Sequence, residues 1–435
     1  MSNQVQRVPE AERRTGRRLM ALLAIDTTPL ITSRDYRLLF TGQMISGFGS
    51  AISYVALPWQ VYQLTRSTLA VGMLGVVEFV PMLLMAFAGG ALADYVDRRR
   101  LIIAAESGMT VCCLMLVWNS LLHDPRVWIL FAIAAIFAGV NAIHRPALES
   151  LTPRLVDPLH LPAVSALSLL RGSFNFIIGN ALGGVIAASF GAAPAFSIDA
   201  ATFVASMAML LLIQSVPVPA DAERASLKSV RQGLKYARGR QELLGTYLID
   251  LNAMFFGMPV ALLPAIAERY GGSSVGLLYA MPAVGVLAVS LTSGWTKRVH
   301  RHGLAVTIAA MVWGVAITCF GLSGRLWLAL LFLAIAGAGD AVSGIFRMTM
   351  WNETIPDRFR GRLAGLEFIS AVTGPYLGNG EAGIVASLYG LSASVVSGGV
   401  LCVVGSGILA AALPRFIKYD GRKGLARRLA EESAA

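Results

Sequence analysis

The chain has 435 residues, of which 56% are hydrophobic and 14% are charged, and its formal net charge is +11. This composition excludes a soluble globular domain as the main content of the chain and predicts an integral membrane protein. The basic excess does not indicate a nucleic-acid partner, because no nucleic-acid-binding motif accompanies it.

Twelve apolar segments follow a polar and basic amino-terminal stretch, and each is long enough to cross a hydrocarbon core of about 30 Å. We therefore predict an all-α membrane protein with two six-helix bundles, over residues 36–214 and 242–415. Residues 1–35 and 416–435 are predicted to be cytoplasmic tails, and residues 215–241 a cytoplasmic linker. The predicted helix limits are 37–64, 69–93, 101–122, 126–149, 161–190, 194–214, 243–268, 274–297, 303–323, 326–351, 362–389 and 392–414.

Lysine and arginine concentrate in alternate turns between these segments, as they do on the cytoplasmic side of membrane proteins. Of the 36 lysines and arginines, four lie in loops on the opposite side and one lies within a helix. These exceptions are Arg66, Arg126, Arg269, Arg325 and Arg171. The pattern predicts a multi-pass protein of the cell membrane with both termini in the cytoplasm.

The two halves of the chain repeat the same short patterns, in the same order and at an offset of about 200 residues. Such an ordered series indicates an internal duplication. The matching stretches are Val71-Gly72 with Val275-Gly276, Asn141-x-x-x-Arg145 with Ser343-x-x-x-Arg347, and Gly179-Asn180-x-x-Gly183-Gly184 with Gly378-Asn379-x-x-Ala382-Gly383.

The turn between the second and third segments carries paired glycines, an acid and three consecutive arginines. Its stretch Gly90-x-Leu92-Ala93-Asp94, followed by Asp97-Arg98-Arg99, resembles the loop between helices 2 and 3 of the major facilitator superfamily. The Asp-Arg-Arg ending is similar to the branch that contains the enterobactin exporter and related drug–proton antiporters. The resemblance implies a transporter that works by alternating access. A carboxylate near a helix start is stabilising, so we expect Asp94 to latch the cytoplasmic side by meeting the start of helix 11; a solvated loop acid is the alternative.

Acidic residues inside apolar segments are the strongest functional signal, because an ionised group at the bilayer centre costs about 2.5–3.5 kcal/mol on insertion scales. The candidates for proton coupling are Glu78, Asp340, Asp250 and Glu381. Glu78 stands where the second half has Pro282, so the duplicated fold itself does not require the acid. We expect Glu78 to carry the proton and Asp340 to meet the cargo.

Further polar residues could line a central cavity, which helices 1, 4, 7 and 10 form in the family that the chain resembles. These candidates are Asn141, Arg145, Arg171, Asn175, Asn252, Ser343 and Arg347. Asp340 and Arg347 share one helix face and could be either a buried structural pair or a relay. Arg145 could instead snorkel to the surface, Arg171 and Asn175 lie on a stripe typical of close helix contact, and Asp250 and Asn252 could be a hydrated helix-end pair.

Other titratable residues are expected to lie where water reaches them. Glu106, Asp199 and Glu367 are assigned to positions nearer the helix ends. His144, His300 and His302 are expected at the cytoplasmic surface rather than as ligands.

The sequence lacks a phosphate-binding loop, paired His and Cys ligands and a Gly-x-Ser-x-Gly turn. We expect no enzyme activity, cofactor or metal, and an ion gradient as the driving force. The predicted function is a proton-coupled exporter of a small amphipathic molecule, a siderophore or drug-like compound, acting as a monomer in the bilayer. The alternatives are an importer of a polar metabolite and a non-transporting sensor or scaffold.

Overall fold

The computed structural model describes residues 26–93, 97–214 and 235–422, with 424 and 428, and it leaves the side chains of 87–93, 357–362, 364 and 365 undescribed. Twelve long helices account for most of these residues. They are α1 Arg34–Thr65, α2 Thr68–Ala93, α3 Arg98–Ser120, α4 Val127–Leu151, α5 Leu161–Phe174 continued by Asn180–Phe190, α6 Ala192–Leu211, α7 Gln241–Phe256, α8 Val275–Leu291, α9 His302–Leu322, α10 Leu326–Thr354, α11 Asp357–Tyr389 and α12 Leu391–Ala412.

Ten spans among the described residues are long and apolar enough to cross a membrane. The remaining two helices, α1 and α11, have 32 and 33 residues, which is more than a bilayer crossing requires. Helix α1 packs against α5 and α6, and α11 packs against α2, α7 and α12.

The helices form two bundles of six. In the first, α1 packs on α6, α2 on α4, and α3 on both α4 and α6; in the second, α8 and α9 pack on α10, and α9 and α7 on α12. Two helix pairs, α2 with α11 and α5 with α8, join the bundles. The predicted fold, two six-helix pseudo-repeats, is confirmed.

Glycines from the repeated motifs meet each other where the bundles join. A Cβ placed on Gly72 of α2 would lie 2.9 Å from the Cα of Gly383 in α11, and one on Gly276 of α8 would lie 2.9 Å from the Cα of Gly184 in α5. Equivalent glycines of the two halves therefore make equivalent contacts, and the two contacts are related by pseudo-symmetry. Small residues are required there because the helix backbones touch.

One end of the bundle holds both ends of the described chain. Near the first residues, Asp35 accepts a hydrogen bond from the amide N–H of Gln214. Near the last, the amide N–H of Arg415 donates to Gln241, and Phe416 is fully buried. We call this the inner end and the opposite one the outer end; that the inner end is cytoplasmic stays a prediction.

Two helices end well before the predicted limits. The seventh segment was predicted as one helix over 243–268, but α7 ends at Phe256 and the chain continues as a 3₁₀ turn, Val260–Leu262, and a short helix, Leu263–Arg269. Pro259 lies in this break, where its missing N–H and rigid ring disfavour a continuous helix. The eighth was predicted to reach residue 297, but α8 ends at Leu291 and a 3₁₀ stretch, Ser293–Arg298, follows.

Candidate transport site

Arg347 is the cation around which the charged groups of the second bundle are arranged. Its guanidinium forms an ion pair with Asp250 of α7 and lies 3.8 Å from a carboxylate oxygen of Asp340 in its own helix. The side chains of Arg347 and Asp250 are 13% and 9% exposed, whereas that of Asp340 is 38% exposed. Asp250 therefore balances the charge of the arginine, and Asp340 is less enclosed by neighbouring side chains.

The alternative interpretation of Asp250 and Asn252, a hydrated pair at a helix end, does not fit their positions. Asp250 is buried because α7 carries it against Arg347. The Asn252 side chain turns to α12, where its amide donates to the carbonyl oxygen of Cys402 at 2.9 Å and to the hydroxyl of Ser406 at 3.2 Å. Asn252 therefore contributes to packing within the second bundle.

Charges from the two bundles approach each other toward the inner end. Arg145 and Glu149 of α4 form an exposed ion pair at 3.1 Å, with side chains 69% and 67% exposed. Glu367 of α11 lies within electrostatic range of this pair and also of Arg347 and Asp250. The sequence interpretation gave Glu367 little weight, yet it stands between the charged groups of both bundles.

Glu78 lies halfway along α2 and is partly buried. The residues within electrostatic range of its carboxylate include Tyr54 of α1 and Tyr376 of α11. The Tyr54 ring also packs edge-on against Tyr279 of α8, with centroids 5.7 Å apart. Glu78 is therefore placed where helices of both bundles meet, and the two tyrosines beside it were not identified from the sequence.

The other cavity candidates are distributed over both bundles. Ser343 is buried in α10, between Asp340 and Arg347, and Asn141 is partly buried in α4. Glu381 is partly buried toward the outer end of α11. Among the contacts that the structure describes, the ion-pair partners of Arg347 are Asp250 and Asp340, and Glu381 is not one of them.

Arg171 and Asn175 face α1 within the first bundle. Arg171 lies within electrostatic range of Tyr36, and Asn175 is buried beside Gly47, where a Cβ would collide with its amide nitrogen. Asn175 also begins a π-helical turn, Asn175–Gly179. Close contact between α5 and α1, the alternative interpretation, fits these positions.

The predicted latch motif is only partly described. Asp94 lies outside the described residues, and the surroundings of Gly90 in α2 are not described. Asp97 caps α3, because its carboxylate accepts from the amide N–H of Arg99 at 2.9 Å. The Arg99 guanidinium donates to the carbonyl oxygens of Leu210 and Leu211, each at 2.7 Å, and thereby ties the start of α3 to the end of α6. The neighbouring Arg98 is buried.

The outer end is closed by polar contacts between the bundles. Glu268, at the end of the seventh segment, forms an ion pair with Arg66 and accepts hydrogen bonds from Gln63 at 3.1 Å and from the Tyr62 hydroxyl at 3.4 Å. Deeper in the interface, the amide of Asn180 donates to the carbonyl oxygen of Tyr279 at 3.3 Å. These contacts hold the two bundles together at the outer end.

Several titratable residues are deeper than expected. Glu106 and Asp199 were expected near water, but both are fully buried, with 0% exposure. His144 and His302 were expected at the surface, and both are buried as well. These four expectations were wrong because distance from a helix end does not tell which face of the helix packs inward.

Two facing six-helix bundles, joined through α2–α11 and α5–α8 and holding charged side chains between them, define a membrane carrier of the major facilitator type. The chain belongs to the transmembrane secretion effector family of that superfamily, whose model matches residues 26–423.

Curated relatives include the enterobactin exporter EntS of Escherichia coli O1:K1 / APEC and that of Citrobacter koseri. Each is 27% identical over 379 residues, which cover 86% of this chain and 91% of the relative. Among solved structures, the nucleoside transporter NupG has a TM-score of 0.67 at 13% identity, covering 89% of this chain and 100% of that one. A POT family transporter in complex with 5-aminolevulinic acid has a TM-score of 0.71 at 12% identity, covering 88% and 97%. At such identities, these two structures establish the fold alone.

Proposed function

We propose that this protein is a proton-coupled exporter of a small amphipathic molecule, a siderophore or a drug-like compound, that works by alternating access. The observation that carries the proposal is the position of Glu78, a carboxylate in mid-span of α2 beside tyrosines from both bundles. Acids at that depth are costly and mark proton or substrate pathways. The names of the curated relatives support export and a siderophore as the cargo.

The two bundles have different proposed roles: Glu78 of the first bundle carries the proton, and Asp340 of the second bundle contacts cargo. Burial in a medium of low dielectric disfavours the charged form of a carboxylate, so Glu78 can exchange a proton with whichever side is open. Asp340, with its accessible face beside Arg347, supplies a polar contact for cargo. Because one chain provides both bundles, the proposed working unit is a monomer.

Transport into liposomes tests the proposal. Purified protein is reconstituted, a pH difference is imposed, and the accumulation of enterobactin and of a fluorescent cationic dye is followed. We expect saturable, pH-driven accumulation of at least one probe by the wild type. Glu78→Gln should still exchange the probe at equal pH but should not concentrate it, because the amide cannot carry a proton.

Glu149→Gln is the matched control, since it removes an exposed acid of the same bundle. It should keep pH-driven accumulation. Accumulation by Glu78→Gln against the probe gradient would remove Glu78 from the mechanism. Binding without saturable flux in the wild type would favour a sensor, and uptake in the opposite direction would favour an importer.

A further inference from the structure

A closed polar cluster lies inside the first bundle, away from the residues of the transport site. Its centre is Glu106 of α3, whose side chain is fully buried. One carboxylate oxygen accepts hydrogen bonds from the Gln43 amide of α1 at 2.7 Å and from the Ser206 hydroxyl of α6 at 3.0 Å. Nε2 of His144 in α4 lies 3.4 Å from the same oxygen. We call these four residues the Glu106 cluster; they come from four different helices.

The cluster needs a proton to be neutral. An isolated buried carboxylate is strongly destabilising, and it is retained only when it is paired or protonated. Gln43 and Ser206 donate hydrogen bonds but carry no charge, so His144 is the group that can balance Glu106. The second carboxylate oxygen of Glu106 is buried without a hydrogen-bond partner, which leaves a position where a proton can reside.

Asp199 provides an internal comparison. It is also fully buried, and it lies between the same helices α1, α3 and α6. Its oxygens approach the hydroxyl of Ser50 at 3.2 Å and the thiol of Cys113 at 3.4 Å. The described contacts of Asp199 thus supply polar hydrogens, whereas those of Glu106 also include a titratable base.

Other charged groups on the packed elements lie farther along their helices. Helix α1 presents the neutral Gln43. The charged residues nearest in sequence are Arg37 on α1, Arg98, Arg99 and Arg100 about two turns along α3, the Arg145–Glu149 pair on α4 and Asp199, two turns along α6. His144 is buried and lies in the half of α4 that is nearer its inner end at Leu151.

We propose that Glu106 and His144 together form a second proton-binding site, located in the first bundle and reached from the inner end. The pair holds one proton, which moves between Nε2 of His144 and the carboxylate of Glu106 as one N–H bond breaks and one O–H bond forms. Release of this proton to the inner side leaves a buried negative charge that loosens the contact of α1, α3, α4 and α6. The site stands by itself, but its role in transport depends on the proposed proton coupling.

Thermal unfolding of the purified protein in detergent tests the site without transport. The wild type should lose Tm as pH rises, because loss of the shared proton leaves Glu106 uncompensated. The Glu106→Gln, His144→Gln double variant should lose this pH dependence, while Asp199→Asn should keep it. Glu106→Gln alone, which preserves the volume of the side chain, replaces the double variant if that variant does not fold.

A double variant whose Tm profile parallels the wild type overturns the proposal, and so does an Asp199→Asn variant that abolishes the pH dependence. Flux in liposomes then separates the two proposals. If the Tm profiles behave as expected but wild-type flux is not driven by a pH difference, the proton site stands and proton-coupled export fails. If flux is pH-driven and the double variant loses its dependence on inner pH, both stand.

Discussion

Arg347 in α10 pairs with Asp250 in the neighbouring helix α7 more closely than with Asp340 in its own helix. Arg347 follows Asp340 by seven positions, about 10.5 Å along a helix axis. The arginine side chain therefore reaches Asp250 on the neighbouring helix more readily than Asp340 on its own helix. The consequence is a division of labour: Asp250 fixes the arginine and Asp340 remains accessible.

The buried pair should be important for stability. Removing one partner of a buried ion pair costs about 3–5 kcal/mol, because the other charge is left uncompensated. We therefore expect Arg347→Gln and Asp250→Asn each to lower Tm markedly, and the double variant to recover part of the loss. Arg145→Gln is the control, since the Arg145–Glu149 pair is exposed and such pairs contribute about 0–1 kcal/mol. Equal losses for Arg145→Gln and Arg347→Gln would refute the assignment.

Enlarging one of the paired glycines should change how often the outer end of the carrier is open. Gly276→Ala would place a carbon 2.9 Å from the Cα of Gly184, closer than the roughly 3.5–4.0 Å of an ordinary carbon contact. The outer end should then open more often, and a cysteine introduced at the buried Ala261 should react faster with a membrane-impermeant reagent. Gly172→Ala is the control, because a Cβ at Gly172 would meet open space. It should leave the rate at which the introduced cysteine reacts unchanged. No difference between the two would show that this contact does not hold the outer end closed.

Topology remains a prediction that reporter fusions can check. An even number of spans returns the chain to its arginine-rich side, which is expected to be the cytoplasm. Fusions at Ala435 and in the Asp124-Pro125 loop should therefore give opposite signals, with Ala435 reporting the cytoplasm. Agreement between the two fusions would mean that the number of spans is wrong.

Asp94 remains a predicted latch of the inner end. Its charge near the start of a helix would contribute about 0.3–1 kcal/mol, enough to shift a two-state carrier several-fold. Asp94→Asn should lower the rate of transport while the amount of protein in the membrane stays normal. A wild-type rate in this variant would leave Asp94 as a solvated loop acid.

The fold could be predicted from the sequence because its signals are local. Span length, the distribution of arginines and the repeated glycine motifs each need only a short window, and Gly72 and Gly276 lie at the contacts that the duplication implies. The partners of the buried charges could not be predicted in this way. The pairing of Arg347 with Asp250, and the depth of Glu106, depend on how helices rotate about their axes when they pack.

Asp340 offers the sharpest separation between a structural and a functional acid. Asp250 and Asp340 both lie near Arg347, but their side chains are 9% and 38% exposed. Because Asp250 compensates the arginine, Asp340→Asn should leave Tm nearly unchanged, whereas Asp250→Asn should lower it. If Asp340 contacts cargo, its amide variant should raise the probe concentration for half-maximal flux while the pH-driven accumulation ratio at saturation persists. The measurement is a flux titration in liposomes, with Tm recorded on the same preparations. Should Asp340→Asn lower Tm as much as Asp250→Asn while its half-maximal concentration stays at the wild-type value, Asp340 belongs to the structural charge cluster and cargo is held elsewhere.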